Sequence, residues 1–330
     1  MIAAKCYKGN DAFAAIVVMV EFINWFLVNK SCSIMTKPFA EEPFLGADRA
    51  LFEREFDRHC FPFTHRLSDH PLFKPERLFR LARQLALGDP NDVYIDAGDI
   101  QVCQRWDQTP GRDLPVEEVM PRLDTAHAWI LLRSAQKDPE YAKILDACID
   151  EIIAMSRRDL DNVMKERNAL IFLTSPNRVT PYHIDRECSW LYQIQGRKTI
   201  SVFDRSDREV LPEADIERFW AVDNNAAIYK PEYQNRATVF ELLPGQGVHI
   251  PVGAPHWVQN GPEVSVSLNI NFHYRDAIAA DIYRANYWLR RIGLTPTPPH
   301  HSAFRDLVKR TFFPLARKAR KAWLGAARNA

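Results

Sequence analysis

No two of the six cysteines (Cys6, Cys32, Cys60, Cys103, Cys148 and Cys188) stand in a CxxC or other paired spacing. That excludes a zinc ribbon and a thioredoxin-type redox pair, and a disulfide framework is foreign to a chain of 330 residues. Buried free thiols in a reducing compartment are the reading that follows. An excess of one charge is also missing: 43 basic against 42 acidic residues leave a net +1, so no global attraction to nucleic acid is expected. Nothing in the composition, 46% hydrophobic and 26% charged, indicates disorder or a fibrous repeat.

A membrane-spanning run is approached once and not reached. Ala12 to Val28 is nearly all apolar and follows Lys5 and Lys8, like a short anchor or a signal h-region. Glu21 and Asn24 interrupt it, it falls short of the ~20 residues a spanning helix needs, and no small-residue cleavage site is evident. Met35 is an alternative start, after which the chain reads as an ordinary soluble protein. Residues 1–34 are therefore an uncertain extension: an anchor is the lesser reading and a cytoplasmic location the expected one.

What is present divides by period. Residues 35–164 read as a region of helices and short strands. Helical spacing runs over 47–57 and over Lys74 to Leu87, where Leu78, Leu81 and Leu85 recur, and Gly88-Asp89-Pro90 stops the second helix. Val93–Ile95 and Ala128–Leu132 are strand candidates, 107–115 is a loop, and a helix runs from Pro139 to about Met155. From residue 165 short apolar segments alternate with turns: Ala169–Leu173, Trp190–Ile194, Thr199–Phe203, Ala237–Leu242, Gly247–Ile250, His256–Gln259 and Val264–Phe272. Such spacing predicts a barrel or sandwich over 165–275. Within it Val266, Leu268, Ile270 and Phe272 share one face, while Ser265, Ser267, Asn269 and Asn271 share the other, which should line a cavity. Residues 276–330 return to helix, so the class is mainly β with helical flanks (α+β).

The chemistry concentrates in a few positions. His183 and Asp185 are two residues apart, so on a strand both point to one face. His256 follows the Pro244-Gly245 turn and the Ile250-Pro251 stretch. Two imidazoles and one carboxylate on a single face hold Fe(II) while leaving positions open. Lys198 lies among Ile194, Ile200 and Val202, where a charge without a partner is costly. His249 competes with His256 as a ligand, and His273 stands beside Asn271.

The segments Thr180-Pro181-Tyr182-His183-Ile184-Asp185, Gln193-Ile194-Gln195-Gly196-Arg197-Lys198, Pro244-Gly245, Ile250-Pro251 with His256, and Asn269-Ile270-Asn271-Phe272 resemble the cupin-8/JmjC-like group of 2-oxoglutarate oxygenases. Within that group the pattern is most similar to the type of asparaginyl hydroxylase that acts on hypoxia-inducible factor. The resemblance covers roughly 165–275 and implies a double-stranded β-helix, or jelly-roll, barrel. It implies His183, Asp185 and His256 as iron ligands, with Thr180 and Lys198 on the distal carboxylate of 2-oxoglutarate. Asn271 would lie near the oxoacid end. Ser189 stands where relatives often carry Asn, and it too would face the co-substrate. The implied reaction is hydroxylation of a protein side chain or small molecule, or demethylation of an N-methyl carbon. In this setting His256 takes the third ligand position and His249 does not.

Two rivals come from other classes: a cupin-like binding or regulatory module without turnover, and a metal-dependent cupin enzyme that does not use 2-oxoglutarate. The intact triad opposes the first, and Lys198 with Thr180 opposes the second. Residues 204–236, rich in charge and aromatics, form an excursion that should reach the barrel mouth. The C-terminal stretch from Ser302 combines Phe304, Leu307, Val308, Phe312, Leu315 and Trp323 with eight basic residues, Arg305, Lys309, Arg310, Arg317, Lys318, Arg320, Lys321 and Arg328. Docking on the protein or a homodimer through C-terminal helices is the reading, ahead of membrane contact.

Overall fold

In the computed structural model the described residues are 42–109, 115–274 and 278–313. Pro43–Ala330 forms one unit, to which every element below belongs. The 1–34 extension, Cys6, Cys32 and the C-terminal residues from 314 lie outside the described residues.

Among the described residues there are twelve strands. Before the barrel come β1 (Leu45–Gly46), β2 (Phe61–His65), β3 (Val93–Ala97) and β4 (Ala128–Leu132). The barrel follows as β5 (Met164–Thr174), β6 (Val179–His183), β7 (Cys188–Gln195), β8 (Lys198–Val202), β9 (Thr238–Leu242), β10 (Gln246–Ile250), β11 (His256–Asn260) and β12 (Ser265–Tyr274). All pairings are antiparallel, in a sheet of order β1-β2-β10-β7-β12-β5-β4-β3 facing a second of order β6-β11-β8-β9. Successive barrel strands alternate between sheets except from β8 to β9, which pair within the smaller one, and each late strand pairs beside an early one. This is the double-stranded β-helix.

The first region is continuous with the barrel: β2 extends the large sheet at β10, and β4 extends it at β5. Alternation along β12 sorts its two faces. Val266, Leu268, Ile270 and Phe272 join Cys188, Trp190 and Tyr192 of β7 in the main core. Over that face lie α1 (Pro75–Gly88), through Leu78, Leu81 and Leu85, and α2 (Pro139–Ser156), through Ile144, Ile149 and Ile152. The opposite face carries Ser265, Ser267, Asn269 and Asn271, all buried. A strand polar on one face and yet covered on both needs internal partners or a ligand.

The excursion between β8 and β9 contains α3 (Glu213–Ala221), which packs on α4 (Ile278–Arg291). Arg290 of α4 forks onto the buried Glu217 carboxylate at 2.7 and 2.9 Å. Helix continues over 303–313, where Phe304, Leu307 and Phe312 are exposed. Among the described residues no helix is long and apolar enough to cross a membrane. The described cysteines, Cys60, Cys103, Cys148 and Cys188, are all free, but only Cys148 and Cys188 are buried; Cys60 is half-buried and Cys103 exposed, which corrects the expectation of buried thiols.

One turn sets the approach of β8 to the cavity. Gly196 joins β7 to β8 with φ +70°, and a Cβ there would sit 2.6 Å from the Val264 carbonyl oxygen. Gly196→Ala is expected to lower stability by about 1–3 kcal/mol, because both the left-handed backbone and the contact oppose a side chain. Urea denaturation checks this; an unchanged midpoint would refute it.

Candidate metal centre

The candidate metal site is assembled at strand ends, not in strand interiors. β6 is the edge strand of the smaller sheet, which tolerates Pro181 because its missing N–H faces no second neighbour. Its register against β11 shifts between His183↔His256 and Thr180↔Val258, a bulge that takes up one extra residue. His183 and His256 are thereby direct neighbours across the pair.

The sequence reading of His183-Ile184-Asp185 as one strand needs correction. β6 ends at His183, and Asp185 lies beyond it, its carbonyl accepting from the Gly253 N–H at 2.9 Å. Ile184 is drawn the other way, into an apolar cluster with Leu211, Ile216 and Phe219. Asp185 thus converges with the histidines through the loop at 251–255 and not through strand alternation.

The resulting geometry is compact. Asp185 Oδ2 lies 3.8 Å from His183 Nε2 and 3.7 Å from His256 Nε2, and the two rings are 4.2 Å apart at their centroids. A potential donor atom from each residue falls within 4.8 Å of the other two, close enough for small rotations to bring them onto one ion. The Nδ1 atoms are engaged elsewhere: that of His183 meets the Pro181 carbonyl at 2.7 Å, that of His256 the Ala254 carbonyl at 3.0 Å. A carbonyl can only accept, so both Nδ1 atoms carry the proton and both Nε2 lone pairs face the carboxylate. Burial, followed by the nearby His183, pushes the His256 pKa down to about 4, which keeps the ring in its neutral, ligating form. Two Nε2 lone pairs and a carboxylate on one side of an open space fit a divalent iron-type ion.

This triad lies in the wall of a cavity of about 550 Å³. Thr180, Ser189, Lys198 and Asn271 line the same cavity, so the seven residues that the family resemblance implies for metal and co-substrate meet there. Lys198 is 6% exposed, and its ammonium donates to Ser267 Oγ at 2.6 Å. No carboxylate among the described residues pairs with it, and burial alone pushes its pKa down to about 7. Ser189 Oγ, Asn269 Oδ1 and Asn271 Oδ1 are buried without a partner among the described residues. The buried cation and the Ser189 hydroxyl can donate to a ligand carrying carboxylate oxygens, whereas the two amide oxygens can only accept and call for a donor such as water.

No family model matches the chain, and no curated protein matches it. Solved structures do. Escherichia coli YcfD, a ribosomal oxygenase, is 17% identical over 78% of this chain and 60% of that chain, with a TM-score of 0.43. A second YcfD structure is 16% identical over 82% of this chain and 68% of that one, with a TM-score of 0.48. YcfD in complex with cobalt and 2-oxoglutarate is 16% identical over 77% and 59%, with a TM-score of 0.44. The chain thus spans 59% to 68% of the length of these three.

The other histidines fall away from the centre. His249 is buried among Phe56, Phe61 and Trp190, and its Nδ1 contacts the Ser189 carbonyl at 3.2 Å. Burial pushes its pKa down to about 3, as for a packed neutral ring. His273 contacts Glu187 at 3.1 Å and Glu166 at 3.5 Å, and it is not among the residues lining the cavity.

Several contributors carried no sequence signal that singled them out. Trp106, which opens a short 3-10 helix at Trp106–Gln108, tilts against His183 at 5.6 Å and meets Trp129 edge-on at 5.2 Å. Arg186 donates to the Phe219 carbonyl and to Asn224 Oδ1, each at 2.8 Å, and so pins the excursion beside Asp185. From the far side Arg105 reaches the Asn225 carbonyl at 3.1 Å and Asp223 Oδ1 at 3.0 Å. Phe219, Asn224 and Asn225 consequently form part of the cavity wall.

Proposed function

We propose that this chain is an Fe(II)- and 2-oxoglutarate-dependent oxygenase acting on a protein side chain or a small molecule. The observation that carries the reading is the joint placement of His183, Asp185 and His256 with the unpaired Lys198 ammonium in one cavity. The asparaginyl-hydroxylase pattern in the sequence favours an amide-bearing protein side chain within that range.

In this reading the Nε2 atoms of His183 and His256 and the Asp185 carboxylate hold the iron. The Pro181 and Ala254 carbonyls fix the two rings in the ligating tautomer. Lys198 and Thr180 take the distal carboxylate of 2-oxoglutarate, an ionic contact strengthened by exclusion of water. Ser189, whose hydroxyl has no partner among the described residues, and Asn271, through its side-chain amide N–H and not its Oδ1, orient the oxoacid end. Iron bound with 2-oxoglutarate and O2 supplies the oxidising power for attack on a C–H bond. Trp106, Phe219 and the excursion loop wall the space left for the substrate.

Anaerobic titration of the protein with Fe(II) and 2-oxoglutarate is expected to develop a visible metal-to-ligand charge-transfer band. Admission of O2 is expected to release succinate. Iron uptake without the band would move the assignment to a cupin chemistry that does not use 2-oxoglutarate. A protein that takes up no iron would end the proposal.

A further inference from the structure

The ammonium of Lys198 does not float in its cavity; a buried chain of side chains sets its position. Gln193 on β7 and Ser265 and Ser267 on β12 are all 0% exposed. Gln193 Nε2 lies 2.7 Å from the Gln195 carbonyl and 2.9 Å from the Gly196 carbonyl, with Ser265 Oγ at 3.1 Å. Two carbonyls can only accept, which fixes the amide's nitrogen on that side and its oxygen on the other.

Gln193 Oε1 then faces Ser267 Oγ at 2.7 Å, and an amide oxygen can only accept. The single hydroxyl proton of Ser267 is thereby committed to Gln193. Its lone pairs are left for the Lys198 ammonium at 2.6 Å, which can only donate. Every proton in the chain has one possible direction. One of the three ammonium N–H groups is used, and two have no partner among the described residues. Lys198 lines the cavity, so those two are available to a ligand in it.

We propose that Gln193 and Ser267 are positioning residues that hold Lys198 so that two of its N–H groups meet one carboxylate of a dicarboxylate co-substrate. The inference rests on the co-substrate assignment above and extends it to the residues that determine selectivity for the second carboxylate. Gln193 has a separate structural duty, because its Nε2 ties β7 to the β7–β8 turn. The Oε1–Ser267–Lys198 arm does nothing for that turn. Ser267→Ala cuts this arm while leaving all three Nε2 contacts in place, so the two duties can be told apart.

The test compares 2-oxoglutarate with 2-oxobutyrate, which shares the oxoacid head and lacks the distal carboxylate. Binding is measured by calorimetry on Mn(II)-loaded full-length protein, wild type and Ser267→Ala, with folding verified by thermal melting. The wild type is expected to prefer 2-oxoglutarate. Ser267→Ala is expected to reduce that preference about tenfold, the scale of one hydrogen bond to a charged group. Its affinity for 2-oxobutyrate should change less than twofold. Gln193→Met provides a second variant and should shift the ratio in the same direction. An unchanged ratio, or an equal loss for both ligands, overturns the positioning role. A wild type with no preference for the dicarboxylate overturns the reading of Lys198 itself, and this inference with it.

Discussion

His256→Ala is expected to abolish stable iron binding while leaving the protein folded. The ring is 5% exposed and its Nε2 is one of the two nitrogen donors, so no neighbouring side chain can replace it. Losing a residue that merely supports a ligand costs roughly 10–100-fold in metal affinity, and losing the ligand must cost more. Equilibrium dialysis with metal analysis measures the affinity. His249→Ala is the matched control, a buried histidine seven positions earlier on β10. It should leave metal affinity within about twofold and lower stability by about 2–4 kcal/mol, since its ring fills the space among Phe56, Phe61 and Trp190. Equal metal loss in both variants would mean that the site responds to general loosening and that the triad is not its origin.

Lys198→Met should weaken 2-oxoglutarate binding by about 100-fold or more and at the same time stabilise the protein, by about 1–3 kcal/mol below neutral pH. The two effects have one cause: a buried ammonium with a single neutral partner is costly in the free protein and is compensated only by a bound carboxylate. The pH dependence follows from its depressed pKa, about 7 against an ordinary 10.5. Between those values the unfolded chain binds the extra proton, so wild-type stability rises with pH across that window relative to the Met variant. The cost of the charge is fully present below pH 7. Co-substrate affinity moves the opposite way, steady below about pH 7 and falling towards tenfold per pH unit above it as the ammonium is lost. Calorimetry at pH 6.5, 7.5 and 8.5, paired with urea titrations, reads both. A Lys198→Met protein that is destabilised and binds 2-oxoglutarate normally would remove Lys198 from the site.

Alternation along 265–272 announced a strand with one polar face, since side chains on a strand must point to opposite faces. Only Asn269 and Asn271 of that face reach the cavity wall, while Ser265 and Ser267 bond to Gln193 and Lys198. The helix stopped by Gly88-Asp89-Pro90 and the strand Ala128–Leu132 were legible for similar local reasons. Lys198 drew attention because its neighbours are apolar, and the large desolvation cost of a charge makes such placement informative. β6 was harder to see, as Pro181 masks an edge strand and a bulge breaks its period.

Local pattern by itself determined the element types, the two faces of β12 and the residue types able to bind a metal. These follow from backbone periodicity and the chemistry of single side chains, both of which act over a few residues. Only the tertiary structure decided that Asp185 reaches the histidines from beyond its strand and that β2 and β4 extend the barrel sheet. It alone also fixed the proton direction along Gln193, Ser267 and Lys198, and it brought Trp106 against His183. Each of these depends on contacts between segments tens of residues apart, where loop closure and shared packing, and no local period, select the partner.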